Sequence, residues 1–350
     1  MTKTKRLICT ALAALMLTGC AANPSAPTAT DASTAVPTVQ RTGERTSKAG
    51  SYFNTVVILT VYDEPEGLLD EMMAECARYE RLLSRTIPGS DVDRINNAGG
   101  ETVTVDPETW EILRRAKEIS KMTDGAFSVT IAAQSTLWDF TGGTNRMPTE
   151  EERLKSIELV DDDKLVLGDN YTVTLPAGMM IDLGGIAKGY IADKLAEMSR
   201  DKVSCAMLNF GGNVYVLGLK PDGTKIRVGI TDPQNTSTYR AVVTLTDKSV
   251  VTSGTYERYF VRDGVTYHHI LDPKTGLSAQ TDLTGATIIL ESSMDADALA
   301  TACIVFGREK ALSFVNEHKL DAVLIDSENN VYLSDGLAEH YPVSIVEPEK

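Results

Sequence analysis

A crowd of short β-branched and aromatic runs constrains this chain more than any other feature. Residues 203–209, 214–219, 226–230, 241–245 and 259–270 each read as strands. An earlier strand is expected over 56–62, and shorter ones near 164–167 and 171–175, split by Gly168-Asp169-Asn170. Helical patterns lie around them. Between 65 and 83, apolar residues recur at 68, 69, 72, 73, 76, 79, 82 and 83, which is one helix face. Asp106-Pro107-Glu108 predicts an N-cap with Pro at the first helical position, and Thr123-Asp124-Gly125 stops that helix after Met122. Further helices are expected near 187–199, 294–305 and 308–317. Clustered strands with helices interspersed, and no regular βαβ alternation, predict an α+β fold of mixed or antiparallel sheets.

At 350 residues the chain can bury one large core, or two lobes that share a cleft. Its formal net charge of -15 argues against a nucleic-acid partner, because phosphate backbones select basic surfaces. An anionic substrate would have to be met by local cations or a metal.

The first residues read as an address. Lys3, Lys5 and Arg6 precede an apolar run over 7–17, too short to span a bilayer as a helix. Leu17-Thr18-Gly19-Cys20 follows and resembles a bacterial lipobox, which predicts cleavage after Gly19 and a lipid on Cys20. A buried N-terminal helix is the other reading. Residues 1–19 are thus expected to be a signal peptide. Residues 20–50, rich in Ala, Pro, Thr and Ser, are expected to be a flexible tether, and 51–350 one folded domain. Cys76, Cys205 and Cys303 sit in apolar patterns without metal-ligand spacing and read as buried thiols.

Four segments carry chemistry. Residues 180–190 (MIDLGGIAKGY) read as an apolar strand ending at Asp182, two turning glycines and a helix start. Backbone N–H groups there suit a phosphate, with Lys188 as an added charge. A plain tight turn with a solvated lysine is equally compatible. Asp297 and Thr301 stand four apart on one helix face, a hard-oxygen pair suited to Mg²⁺. With Ser293 as N-cap, the acidic first turn could instead serve the helix dipole. His268-His269 ends a strand, so only one of the two can face a given site and serve proton transfer, and a purely structural pair is the other reading. Residues 251–259 (VTSGTYERY) place small residues before an aromatic and an arginine, suited to a flat phosphorylated ligand or to an ordinary strand bend.

In this order the motifs resemble the FAD:protein FMN transferases, the ApbE family. The matching stretches are Leu83-Ser84-Arg85, 90–96, Thr123-Asp124-Gly125-Ala126-Phe127, Leu137-Trp138-Asp139-Phe140, 181–190 and Leu208-Asn209-Phe210-Gly211-Gly212-Asn213. They continue with 228–233, 252–259, 268–276 and 296–301. The resemblance implies a central FAD cleft and Mg²⁺-dependent transfer of FMN from FAD to a threonine of an acceptor protein, releasing AMP. It implies Mg²⁺ held by Asp297, Thr301 and a carbonyl of the glycine turn, assigned to Gly185. Phe53, Thr86, Ala126, Phe127, Ser128, Asp182, Lys188, Ser253, His269 and Ile270 are the implied FAD contacts. Asp297 and His269 are the implied catalytic groups. The acceptor would be an exported or membrane electron-transfer subunit with an FMN-binding domain. The enzyme itself would be lipid-anchored to a membrane and face the extracytoplasmic side. Phe53, Asn54, Thr86, Ser128, Gln134-Ser135 and Ser278 depart from the residues common in the family. The remaining alternatives are an Mg²⁺-dependent FAD pyrophosphatase and a flavin- or solute-binding lipoprotein without activity.

Overall fold

The computed structural model describes residues 43–347. The signal peptide, Cys20 and most of the expected tether lie outside these residues. The helices are α1 (Leu68–Leu83), α2 (Asp91–Asn96), α3 (Pro107–Met122), α4 (Ala132–Ser135), α5 (Glu150–Ile157), α6 (Ala187–Ser199), α7 (Ser293–Phe306), α8 (Arg308–Glu317) and α9 (Leu337–His340). The early strands are β1 (Arg45–Tyr52), β2 (Thr55–Tyr62), β3 (Thr102–Thr104), β4 (Val166–Gly168) and β5 (Thr172–Thr174). The central ones are β6 (Cys205–Phe210), β7 (Asn213–Gly218), β8 (Ile226–Asp232), β9 (Asn235–Leu245), β10 (Lys248–Gly254), β11 (Tyr259–Arg262) and β12 (Val265–His268). The last are β13 (Leu283–Leu290), β14 (Asp321–Asp326), β15 (Val331–Leu333) and β16 (Val343–Ile345).

Eight strands form the main sheet in the order β1-β2-β6-β7-β10-β13-β14-β15, every pair antiparallel. The period-2 rule assigns its two faces. In β2, Val57, Leu59 and Val61 are fully buried, whereas Val56 and Ile58 are exposed. One face packs on α1, α6 and α7 through Leu59, Leu208, Phe210, Ile191, Leu195 and Leu299. The other face buries Val216, Val250, Ile289 and Val323 against Val228, Ile230 and Val243 of the small sheet β16-β9-β8. The α+β expectation holds, with antiparallel pairing throughout the named strands.

Three local expectations need correction. Residues 259–270 are not one strand. Asp263 and Gly264 both take positive φ (51° and 77°), and the chain folds into the β11–β12 hairpin with a two-residue turn. Ser293 is not the cap of α7. Ser292 caps it, accepting from the Asp295 N–H at 3.1 Å, and Ser293 is the first helical residue. The folded part starts before residue 51, because Arg45 already pairs with Tyr62 in the main sheet.

Helices α6 and α7 cross at unusually short range. A Cβ on Gly189 would lie 2.1 Å from the Ser293 carbonyl oxygen, so only glycine allows this approach. The crossing brings Lys188 of α6 beside Asp297 of α7.

Candidate active site

A cleft of about 590 Å³ opens between the helical layer and the ends of β10 and β12. Its size is that of a ligand pocket. Each residue that the resemblance implies as a contact lines it: Phe53, Thr86, Ala126, Phe127, Ser128, Asp182, Gly185, Lys188, Ser253, His269, Ile270, Asp297 and Thr301. Cys20 lies outside the described residues.

Asp297 anchors the polar wall. It is 2 % exposed, and a carboxylate so buried needs partners. Both its oxygens accept from the Lys188 Nζ at 3.2 Å, and Oδ2 also accepts from the Gly189 N–H at 3.2 Å. The same ammonium donates to the Gly184 carbonyl at 2.8 Å. One turn along α7, the Thr301 hydroxyl lies 3.2 Å from the Ser253 hydroxyl. A Cβ on Gly185 would sit 3.7 Å from that Thr301 oxygen. A carboxylate and a backbone carbonyl therefore meet at one ammonium, with the Thr301 hydroxyl one turn along α7. The carbonyl that meets the cation is that of Gly184 rather than Gly185.

The glycine turn differs from the expected strand and anion cradle. No strand precedes it. Ile181 is instead held by the Asn96 side chain, which accepts from its N–H at 2.7 Å and donates to its carbonyl at 3.0 Å. The Gly184 N–H donates to Asp182 Oδ1, and the Ile186 and Ala187 N–H groups donate to the Leu183 carbonyl. Those donors are occupied within the turn. What the turn offers the cleft is the Gly184 carbonyl, and Asp182 is tied to Arg85 at 3.1 Å.

His268 and His269 point apart, as alternation requires. His268 is buried with Nε2 3.0 Å from the Ala279 carbonyl, while His269 faces the cleft. Burial, then the nearby charges of Arg258, His268 and Lys188, hold the His269 pKa well below the usual imidazole value. Its Nδ1 is buried without a hydrogen-bond partner. Asn213 Nδ2 and Ser135 Oγ line the same cleft in the same condition. Buried polar atoms are rarely left unpaired, so three at one cleft point to a polar ligand that completes them.

The opposite wall is apolar. Trp138 and Phe140 stack at 5.5 Å and 10°, and Phe260 and Tyr267 extend the cluster. Phe127 and Phe53 face the cleft as well, and Phe53 sits at φ 56° with its N–H donating to Glu80 at 2.8 Å. The Ser128 hydroxyl is turned inward, donating to Asp162 at 2.7 Å. Asp162 also accepts from the N–H groups of Val129 and Thr130, so it shapes the 128–130 wall from behind.

Arg258, the arginine of the 251–259 segment, lines the cleft, and so do Glu257 and Asn213, to which the sequence reading gives no role of their own. Each falls inside a motif noted in the sequence, and only the fold turns it inward. Burial, with Asp297 nearby, raises the Glu257 pKa, opposed by Lys188 and Arg258.

The family model described as "ApbE family" matches residues 53–324. The chain belongs to the ApbE family. A Treponema pallidum relative named "FAD:protein FMN transferase" is 35 % identical over 321 residues, covering 85 % of this chain and 89 % of the relative. A Klebsiella pneumoniae relative of the same name is 33 % identical, covering 79 % and 88 %. The Thermotoga maritima ApbE crystal structure superposes with a TM-score of 0.80 at 31 % identity, covering 85 % of this chain and 99 % of that one. The apo Pseudomonas stutzeri flavinyl transferase ApbE gives 0.76 at 27 % identity, with 85 % and 96 % covered.

The lowered His269 pKa has a measurable consequence. An imidazole held neutral by its surroundings opposes folding only where the unfolded chain would protonate it. Its stabilising share is therefore present above the ordinary His pKa and is lost as pH falls through it. Histidine ¹⁵N shifts, assigned with His269→Gln, should show His269 neutral from pH 8 down to pH 6. Titration of that resonance with a midpoint near the ordinary value of about 6.5 would contradict the placement.

Proposed function

We propose that this chain transfers FMN from FAD to a threonine hydroxyl of an acceptor protein, releasing AMP, with Mg²⁺ as its metal. The observation that carries the reading is the oxygen set around the Lys188 ammonium, built from the Asp297 carboxylate and the Gly184 carbonyl, with Thr301 alongside. Among the described residues no cluster of three or more His, Cys, Asp or Glu could hold a metal. Mg²⁺ does not need one, since it is bound by few carboxylates together with substrate phosphates. The donors here are hard oxygens that already attract a cation, so they fit that ion. Asp297, Thr301 and a carbonyl of the Gly184-Gly185 turn would hold it. Its contribution when bound is charge neutralisation at the FAD pyrophosphate.

The rest follows from the chain's own groups. The aromatic wall suits the flavin ring, and Lys188 and Arg258 suit phosphate oxygens. The incoming threonine oxygen bonds to the FMN phosphorus as the bond to the bridging oxygen breaks. The electron pair leaves with AMP. Neutral His269 can accept the hydroxyl proton, a role that a protonated imidazole could not fill. The nucleophile arrives with the acceptor, which accounts for a cleft that needs none of its own. We assign the acceptor to exported or membrane electron-transfer subunits that carry an FMN-binding domain. The enzyme is held at the extracytoplasmic face of a membrane by a lipid on Cys20.

Asp297→Ala should lower Mg²⁺-dependent FAD turnover by about 10²-fold or more, with far-UV circular dichroism unchanged. Activity within twofold of the parent would remove Asp297 from the metal site. For the anchor, Cys20→Ala should shift the full-length protein from the membrane to the soluble fraction on detergent-free fractionation. Unchanged membrane association would refute lipidation.

A further inference from the structure

The helix that carries Asp297 and Thr301 begins on a carboxylate that belongs to another helix. Asp193 of α6 accepts from the Ser293 N–H at 2.7 Å and from the Met294 N–H at 3.0 Å. It also accepts from the Ser292 hydroxyl at 3.4 Å. The side chain of the cap Ser292 accepts the Asp295 N–H. Three of the four free N–H groups that open a helix are therefore answered here, two of them from α6.

The contact is one rung of a ladder. Gly189 and Asp193 are four apart, so they share one face of α6. Gly189 meets Asp297 through its N–H, and Asp193 meets Ser293 and Met294, one turn earlier on α7. From outside, Arg115 of α3 grips Asp295 with two bonds, at 2.8 and 2.7 Å. A slip of one residue along α7 would turn Asp297 by about 100° and move it about 1.5 Å. It would then miss both the Lys188 ammonium and the Gly189 N–H.

We propose that Asp193 is a positioning residue that sets the register of α7 on α6 and so holds Asp297 and Thr301 in metal-binding geometry. The inference rests on the metal reading given above. Burial pushes the Asp193 carboxyl up to about 6 against the pull of its N–H donors. The acid thus stands where its charge is costly, and its work is done at the α7 N-terminus. Asp193 touches neither the cleft nor its ligands, so its loss should not weaken flavin contacts directly.

The test compares five proteins: the parent, Asp193→Ala, Asp193→Asn, Asp297→Ala and Asp326→Ala. Asp326 caps the 326–330 turn away from the cleft, accepting from the Glu328 and Asn330 N–H groups. Its substitution reports what ordinary destabilisation does. Mn²⁺ binding is followed by electron paramagnetic resonance in the presence of ADP, an uncleavable pyrophosphate. FAD affinity is measured separately in EDTA. Asp193→Ala should weaken Mn²⁺ binding and lower kcat by about tenfold or more, with FAD affinity in EDTA within twofold. Asp193→Asn keeps one acceptor oxygen and should recover part of both. Asp326→Ala should leave Mn²⁺ affinity intact whatever its Tm. Mn²⁺ binding by Asp193→Ala equal to the parent, or weakened no more than in Asp326→Ala, overturns the inference. If Asp297→Ala also binds Mn²⁺ like the parent, the metal reading fails and the inference falls with it.

Discussion

The site depends on one buried ion pair that spans two helices. Asp297, nearly without solvent contact, is balanced by the Lys188 ammonium, which also holds the Gly184 carbonyl. Removing one partner of such a pair leaves an uncompensated charge, at a cost of several kcal/mol. The arrangement is possible only because α6 presents Gly189 at the crossing, where any side chain would strike the Ser293 carbonyl. In the proposed function Asp297 would hold the metal, and the Lys188 ammonium, 3.2 Å away, would be at hand for phosphate oxygens.

The larger architecture packs this crossing and the aromatic cluster separately. The main sheet is covered by helices on one face and by β16-β9-β8 on the other, so β10 and β13 under α7 have little freedom. The Ser249 hydroxyl of β10 donates to the Ser293 hydroxyl at 2.7 Å and ties the helix start to the sheet. The aromatic wall stands instead on the β11–β12 hairpin and the 137–147 segment, which form a separate small cluster. A flavin ring needs flat apolar contact, and a transferring phosphate needs fixed charges. The proposed function would use the aromatic cluster for the first and the Lys188–Asp297 crossing for the second.

Much of this was legible in the sequence, for physical reasons that can be named. The α1 stripe, the Asp106 cap and the Asp297/Thr301 spacing are local, and each folds as its pattern dictates. Strands β13 and β14 were not anticipated. Their runs are buried on both faces, so no alternation marks them, and short apolar runs do not separate strand from helix. Asp193 carries no sequence signal, and Asn96, though inside the 90–96 motif, shows no sign there of the backbone it holds. A single polar residue on a helix shows its role only when a distant backbone segment arrives to bond with it. The occupied N–H groups of the glycine turn belong to the same class, because Gly-Gly before a helix looks like an anion cradle until its partners are known.

The central claim is transfer to protein rather than hydrolysis, and mass spectrometry of an acceptor tests it most directly. A purified protein with an FMN-binding domain would be incubated with residues 43–350, FAD and Mg²⁺, then digested and sequenced. The account predicts one added FMN phosphoester on a threonine, absent when the metal is chelated. Release of free FMN and AMP with the acceptor unmodified would contradict it.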